Sequence, residues 1–207
     1  VKTSLPQHSF LPVSGDVVEY LLAEWPKLMR PSAAVLVLDA SGSMEGAPIS
    51  EAKDFFRKVL ARTSDRDLRA LVSFNTQPRV ESRFSTDLPA ISAQIDPIEA
   101  VGGSAVYDGL RAAIDVTTVP EANSYRRTIV MITDGDDKNS ETSLQMIQDT
   151  VSDKFARYDI KLVLIALTRP GADYTDLKKI VRSANGIYRE GSFDQLNAIF
   201  DDVVKNL

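Results

Sequence analysis

Three stretches of the chain are apolar almost without interruption: AAVLVL at 33–38, TIVMI at 128–132 and KLVLIAL at 161–167. Strands covered on both faces of a sheet have this pattern, because neither side of the pleat meets water, and the three are read as central parallel strands. Two further runs, LRALVSF at 68–74 and PRVESRF at 78–84, flank Asn75-Thr76-Gln77, and the second alternates Val80, Ser82 and Phe84 with charged residues. That pattern predicts a hairpin whose second strand lies at a sheet edge. Between the strands the period changes from two to about 3.6. Ile49, Ala52, Phe55, Phe56, Val59 and Leu60 fall on one helical face, and Val106, Leu110, Ala113, Ile114 and Thr117 on another. Leu144, Ile147, Val151 and Phe155 repeat the pattern, as do Tyr174, Leu177, Ile180 and Val181, and finally Leu196, Ile199, Phe200 and Val203. Such alternation predicts an α/β fold, a doubly wound, mostly parallel open sheet with one antiparallel edge strand and helices on both faces.

The first thirty residues stand outside the alternation. Val18, Leu21, Leu22, Trp25 and Leu28 form one apolar helical stripe after Ser14-Gly15-Asp16, and a lone amphipathic helix of this kind usually packs on a core. The expected organisation is an N-terminal extension at 1–31 carrying that helix, followed by one domain at 32–207. A chain of 207 residues, 43% of them hydrophobic, is long enough to bury one sizeable core. His8, the single histidine, sits in a loop-like segment with no partner signal.

Charge narrows the partners. A formal net charge of -5 speaks against nucleic acid and against an anionic membrane surface, since both need clustered Lys and Arg. No apolar run approaches the ~20 residues that span a bilayer, and the start, VKTSLPQHSF, shows no signal-peptide stretch, which predicts a soluble chain without direct membrane insertion. The absence of cysteine excludes disulfides and thiolate metal sites and leaves the compartment open.

Candidate chemistry lies at strand ends. In open α/β sheets, ligands bind beyond the carboxyl ends of the strands, where the strand order reverses. Asp39 directly follows AAVLVL and Asp134 follows TIVMIT. If the two strands are neighbours, a spacing of ~4.8 Å brings both carboxylates within reach of one ion. Asp39-Ala40-Ser41-Gly42-Ser43 adds two hydroxyls at alternating positions, the glycines at 42 and 46 allow the turn, and Pro48 suits the first turn of a helix. Carboxylate and hydroxyl oxygens without His or Cys form a hard donor set suited to Mg²⁺, or to Mn²⁺ or Ca²⁺, and unsuited to zinc. Ser and Asp equally cap helices and close turns, and spacing by itself leaves both roles open.

The run LDASGSM at 38–44 resembles the first metal loop of von Willebrand factor type A domains, which follows an Asp-x-Ser-x-Ser pattern after a buried strand. GGSAVYDGL at 102–110 resembles the second loop and ITDG at 132–135 the third, in family order, so the resemblance extends over about residues 32–206. It implies a metal-ion-dependent adhesion site in which Ser41 and Ser43 bind the cation directly, Asp39 and Asp134 act directly or through water, and Ser104 supplies a further hydroxyl. It also implies a non-enzymatic adhesion and interaction module whose protein ligand completes the coordination sphere with a carboxylate. Ser104 departs from the Thr usual there: the oxygen is kept, but the methyl that stiffens the rotamer is lost. FLPVSGDVVEYLLAEWPKLMRPS, at the N-terminal end, is similar to the junction that precedes such modules in bacterial proteins carrying an upstream substrate-binding domain. That similarity implies a fragment of a longer, cell-envelope protein.

Two other functions compete. One is a Mg²⁺-dependent phosphotransferase or hydrolase with Asp39 as nucleophile. Such chemistry wants a general acid two residues on, where this chain has Ser41, and no GxxxxGK[ST] loop is present. The other is a structural interaction domain whose loops hold no ion. Asp136 and Asp137 are read as a solvated charge cluster beside Asp134, while Asp108 and Tyr107 are read as a helix-start acid and a packing aromatic, outside the ligand set.

Overall fold

The structure, a computed structural model, describes residues 19, 30–135, 137–196 and 198–200. Two compact units divide the chain, Val1–Arg30 and Pro31–Leu207. The apolar positions of the expected N-terminal helix, Val18, Leu21, Leu22, Trp25 and Leu28, lie outside the described residues, as does Val203.

The second unit alternates strand and helix as the hydrophobic pattern requires: β1 (Ser32–Asp39), α1 (Ala47–Ala61), β2 (Leu68–Phe74), β3 (Pro78–Ser85), α2 (Leu88–Ile95), α3 (Val106–Thr117), β4 (Arg126–Thr133), α4 (Leu144–Tyr158), β5 (Ile160–Leu167), α5 (Thr175–Ser183) and β6 (Ile187–Gly191). The six strands form one sheet in the order β3-β2-β1-β4-β5-β6. Only β3 runs antiparallel, paired with β2 at the edge. Helix α2 and strand β6 add to the elements the pattern predicts.

Both faces of the sheet are covered, and β1 shows how. All eight of its positions are buried. Val35 and Val37 join the core beneath α3, α4 and α5, with Leu110, Ile114, Ile147, Val151 and Ile180. Leu36 and Leu38 join the opposite core with Phe55, Phe56 and Val59 of α1, Ile91 of α2, and Leu196 and Phe200. Alternate side chains of one strand thus serve two cores, which is why no period-two signal survives in its sequence. Val80 of β3 is exposed, so the alternation there marks an edge strand with little buried on either side. Among the described residues no helix is long and apolar enough to cross a membrane.

The strand order places the site. Walking out from β1, the chain first adds β2 and β3 on one side, then β4, β5 and β6 on the other, so connections diverge at the β1/β4 boundary. Leu38 of β1 is in register with Ile132 of β4. Asp39 therefore leaves the sheet beside Thr133, with Asp134 one residue beyond.

Candidate metal centre

Three loops meet at the carboxyl ends of β1 and β4. The first begins with Asp39, whose Oδ1 accepts the Ser41 backbone N–H at 2.8 Å and turns the chain sharply out of the strand. Gly42–Met44 then makes one 3-10 turn, and the fully buried Met44 anchors it in the core under α1. Gly46 supplies a positive φ of 85°, after which Pro48 enters the first turn of α1. The second loop is stitched to the first and to the end of β2: Val101 N–H donates to Ala40 O (2.9 Å), Gly42 N–H to Gly102 O (3.0 Å) and Ala105 N–H to Asn75 O (2.7 Å). The third loop holds Ser104 on two sides. Asn139 Oδ1 accepts its N–H at 2.9 Å, while Lys138 and Asn139 N–H both donate to its carbonyl, at 2.8 and 3.1 Å.

These loops bring four of the five expected residues, Ser41, Ser43, Ser104 and Asp134, around a single cavity of about 130 Å³. Ser43 Oγ lies 3.2 Å from Ser41 Oγ and donates to Asp134 Oδ1 at 2.8 Å. Ser41, Ser104 and Asp134 are buried, and Ser43 is exposed at the mouth. Ser104 Oγ is buried and has no hydrogen-bond partner among the described residues. Asp39, the fifth residue, is fully buried beneath this group and does not line the cavity. Its Oδ2 accepts the Thr133 hydroxyl at 2.6 Å, so both of its oxygens are held. Burial pushes the Asp39 carboxyl from 3.8 up to about 6; hydrogen bonds from Ser41 and Thr133 pull it down, and the Asp134 charge pushes it up further.

A volume of this size lies well below the ~300–1,000 Å³ of sites that engulf small molecules. It has room for an ion and an entering side chain. Among the described residues no three His, Cys, Asp or Glu side chains cluster, so a cation here would have to rest on two carboxylates assisted by hydroxyls. The donor set fits a hard divalent ion: all the donors are oxygen, two carboxylates match its charge, and one buried hydroxyl has its bonding capacity free.

Four residues outside the expected set complete the centre. Thr133 orients Asp39, Asn139 clamps Ser104, and two cations, Lys138 and Arg169, line the cavity. Arg169 Nε donates to Asp134 O at 2.8 Å and lies 3.4 Å from its Oδ2. The sequence does carry a signal for Arg169, which stands just past the carboxyl end of β5, where the strand-end rule also applies.

Asp137 corrects an expectation. It is only partly exposed, and its carboxylate accepts the Tyr107 N–H at 3.2 Å and is bonded by Ser140, so it caps the start of α3 rather than standing solvated. Asp136 lies outside the described residues. Asp108 accepts the N–H groups of Glu141 and Thr142, at 2.8 and 3.1 Å, and so pins the third loop to α3. A larger cleft of about 560 Å³ borders Asp108, Arg111, Asp115 and Glu141. Its acids have no second feature that gathers a ligand, so the smaller cavity is the candidate centre.

A doubly wound, mostly parallel sheet with serine and aspartate loops gathered at its switch point defines an α/β domain of the Rossmann-like class, and comparison with known proteins gives the family. The model of the von Willebrand factor type A domain matches residues 34–202, and the chain belongs to that family. Human inter-alpha-trypsin inhibitor heavy chain H4 is 26% identical over 199 residues, an alignment that takes in 90% of this chain and 21% of that protein. The chain thus spans about a fifth of that relative. Among solved structures, a von Willebrand factor type A protein from Catenulispora acidiphila superposes with a TM-score of 0.70 at 18% identity, covering 84% of this chain and 42% of that one. Proximal thread matrix protein 1 from the mussel byssus, solved with a zinc-occupied MIDAS motif, gives a TM-score of 0.70 at 21% identity over 85% of this chain and 45% of that one.

Proposed function

We propose that this chain is a metal-dependent protein-binding module, in which Asp39, Ser41, Ser43, Ser104 and Asp134 hold one divalent cation and an acidic group of a protein partner completes its coordination. The observation that carries this reading is the Ser104 hydroxyl, buried at the cavity with no hydrogen-bond partner among the described residues. A buried hydroxyl left without a partner costs ~1–3 kcal/mol, and a cation beside it removes that cost. When bound, the ion supplies an electrophilic centre for an external carboxylate oxygen. Ser41 and Ser43 offer neutral oxygens to it, Asp134 offers charge at the wall, and Asp39 offers charge from beneath while its Ser41 and Thr133 bonds fix the first loop.

Oxygen donors favour Mg²⁺, Mn²⁺ or Ca²⁺. The zinc-occupied site of the mussel protein makes zinc the control to run beside them. Isothermal titration of chelator-treated protein with each ion should give one-site binding that Asp39→Ala abolishes. No binding of any ion, with or without an acidic peptide in the cell, would overturn the proposal.

The Arg169–Asp134 contact favours a second reading, an interaction domain in which the guanidinium stands where the family keeps an ion. Partner binding retained in excess chelator and in Asp134→Ala would select it. Catalysis by Asp39 has less support, because that carboxylate is fully buried with both oxygens held, out of reach of a substrate. The similarity of the N-terminal segment to a junction after a substrate-binding domain extends the proposal to a bacterial cell-envelope protein. Cell fractionation of the source organism tests that extension, and a purely cytoplasmic product would exclude it.

A further inference from the structure

Arg169 is built into the centre more firmly than a surface cation needs to be. Its backbone N–H donates to the Tyr174 hydroxyl at 3.1 Å, and that hydroxyl donates onward to Leu167 O at 2.8 Å, so a buried tyrosine fixes the base of the side chain. The guanidinium then lies across the third loop, in space that exists because residue 135 is glycine: a Cβ there would meet Arg169 Nη2 at 2.7 Å. Only Nε is engaged, by the carbonyl and carboxylate of Asp134. The two Nη groups make no hydrogen bond among the described residues, and the side chain is 31% exposed. That leaves two Nη groups uncommitted on a fixed, partly exposed stem, and a planar guanidinium pair of this kind can grip a carboxylate with two parallel bonds. Lys138, exposed on the same cavity, adds a second cation with no ion pair among the described residues.

The local charges decide what such a fork would receive. Asp39 and Asp134 contribute -2 and Lys138 and Arg169 contribute +2, so these four residues cancel. A divalent ion raises the sum to +2, and one coordinating carboxylate returns it only to +1. A ligand with a second acid beside the first would neutralise the centre, and it would find the open Nη groups already placed.

We propose that Arg169, assisted by Lys138, is the specificity-determining residue of this surface, selecting a protein segment with two neighbouring acidic side chains, one directed to the cation and the other to the guanidinium. The proposal rests on the metal-dependent reading above. It is tested on the full chain in saturating Mg²⁺ by following backbone amide shifts during titration with two short peptides, identical except that one carries a single aspartate and the other two adjacent aspartates. Inorganic phosphate serves as a third probe.

The wild type is expected to bind the two-aspartate peptide at least ~5-fold more tightly, by the strength of a charge-assisted bidentate pair. In Arg169→Gln the preference should fall below ~2-fold, while in Arg169→Lys, which keeps the charge and loses the fork, part of it should return. Mg²⁺ affinity, measured separately, should rise in Arg169→Gln, which removes a cation 3.4 Å from Asp134 Oδ2, and stay near wild type in Arg169→Lys, which keeps the charge. Equal binding of the two peptides by wild type, a preference that survives in Arg169→Gln, or a collapse of Mg²⁺ affinity in that variant would each overturn the proposal. Phosphate binding more tightly than the two-aspartate peptide would overturn it too, reassigning the fork to a phosphoryl group. Mg²⁺ and single-aspartate binding without preference would remove this inference alone, whereas failure of the wild type to bind Mg²⁺ would remove the metal-dependent reading with it.

Discussion

Replacing Asp39 by asparagine should make the metal-free protein more stable while destroying the cation site proposed for it. The carboxylate is fully buried, and burial is the main reason its pKa is raised from 3.8 to about 6. A raised pKa means that the folded state prefers the protonated acid. The stability this group contributes is therefore fully present below about pH 4 and is lost as pH rises through about 6. At ~1.36 kcal/mol per pKa unit, the ionised carboxylate costs the folded metal-free chain ~3 kcal/mol by pH 8. Asparagine keeps the shape without the charge. Its carbonyl can accept the Ser41 N–H, and its amide can face Thr133, whose hydroxyl can turn from donor to acceptor.

The assay is urea unfolding in EDTA for both proteins from pH 4 to pH 8. The two should be similar at pH 4, and the variant should gain steadily above it, reaching an advantage of ~2–3 kcal/mol, or ~4–12 °C in Tm for a domain of this size. In saturating Mg²⁺ the order should reverse, because the wild type alone gains binding free energy, ~2.7 kcal/mol at a hundred times Kd. A metal-free variant less stable than wild type across pH 6–8 would refute the reasoning, since the buried charge would then be favourable without an ion.

Ser104→Ala removes a buried hydroxyl that has no partner among the described residues, so in EDTA its melting temperature should match or slightly exceed wild type, while calorimetry should show weaker Mg²⁺ binding. Gly103→Ala would place a Cβ 1.9 Å from Asn139 Oδ1 and break the clamp on Ser104 N–H; Mg²⁺ affinity is expected to fall roughly 10-fold or more, as when other supports of metal ligands are lost. Gly109→Ala should gain ~1 kcal/mol from helix propensity, yet its Cβ would sit 2.6 Å from Phe74 Cδ1, and an overpacking cost of ~1–3 kcal/mol should leave thermal unfolding a few degrees lower. Desolvation raises the Asp108 carboxyl, but bonds from the Thr142 side chain and from the Glu141 and Thr142 amides, with Arg111 nearby, outweigh it and hold the group below its usual range. Its contribution is therefore present above about pH 4 and lost as pH falls through the depressed value, and acid unfolding of Asp108→Asn should show a shallower decline there.

The sheet was legible because its central strands are buried on both faces, which leaves runs such as AAVLVL that tolerate few other readings. Helix α2 was harder to see. It has only eight residues and two fully buried positions, Ile91 and Ile95, and its clearest signal is Asp87, which caps Ala90 N–H. Strand β6 has five residues, four of them incompletely buried, and charged side chains blur its period. At the centre, Asp39, Ser41, Ser43 and Asp134 stood out at strand ends, but spacing left ligand and capping roles open, and the family resemblance chose between them and added Ser104. Thr133 and Asn139 gave no such signal, because each acts on a residue distant in sequence; Arg169 also stands past a strand end, but its hold on Asp134 arises only from the strand order.

The same features that mark the centre also cost the metal-free fold stability. Asp39 is a charge held in the core, and Ser104 Oγ is a buried hydroxyl without a partner among the described residues. A chain optimised for stability alone would replace both, since neither fills a packing role that an uncharged or apolar residue of similar size could not fill. Asp134, also buried, accepts the Ser43 hydroxyl at Oδ1 and faces Arg169 Nε at Oδ2. A divalent ion would relieve the first two costs together and leave Arg169 with less of Asp134 to hold. Loading the site should therefore tighten the three loops around Asp39, Ser104 and Asp134. Hydrogen exchange can separate this coupling from simple ligand binding: protection should rise at Ser41, Gly42 and Ser104 on adding Mg²⁺, and Asp39→Asn should abolish the rise at all three. A rise confined to Ser104 would show the loops to be independent, and the site would then be a surface chelate rather than a structural junction.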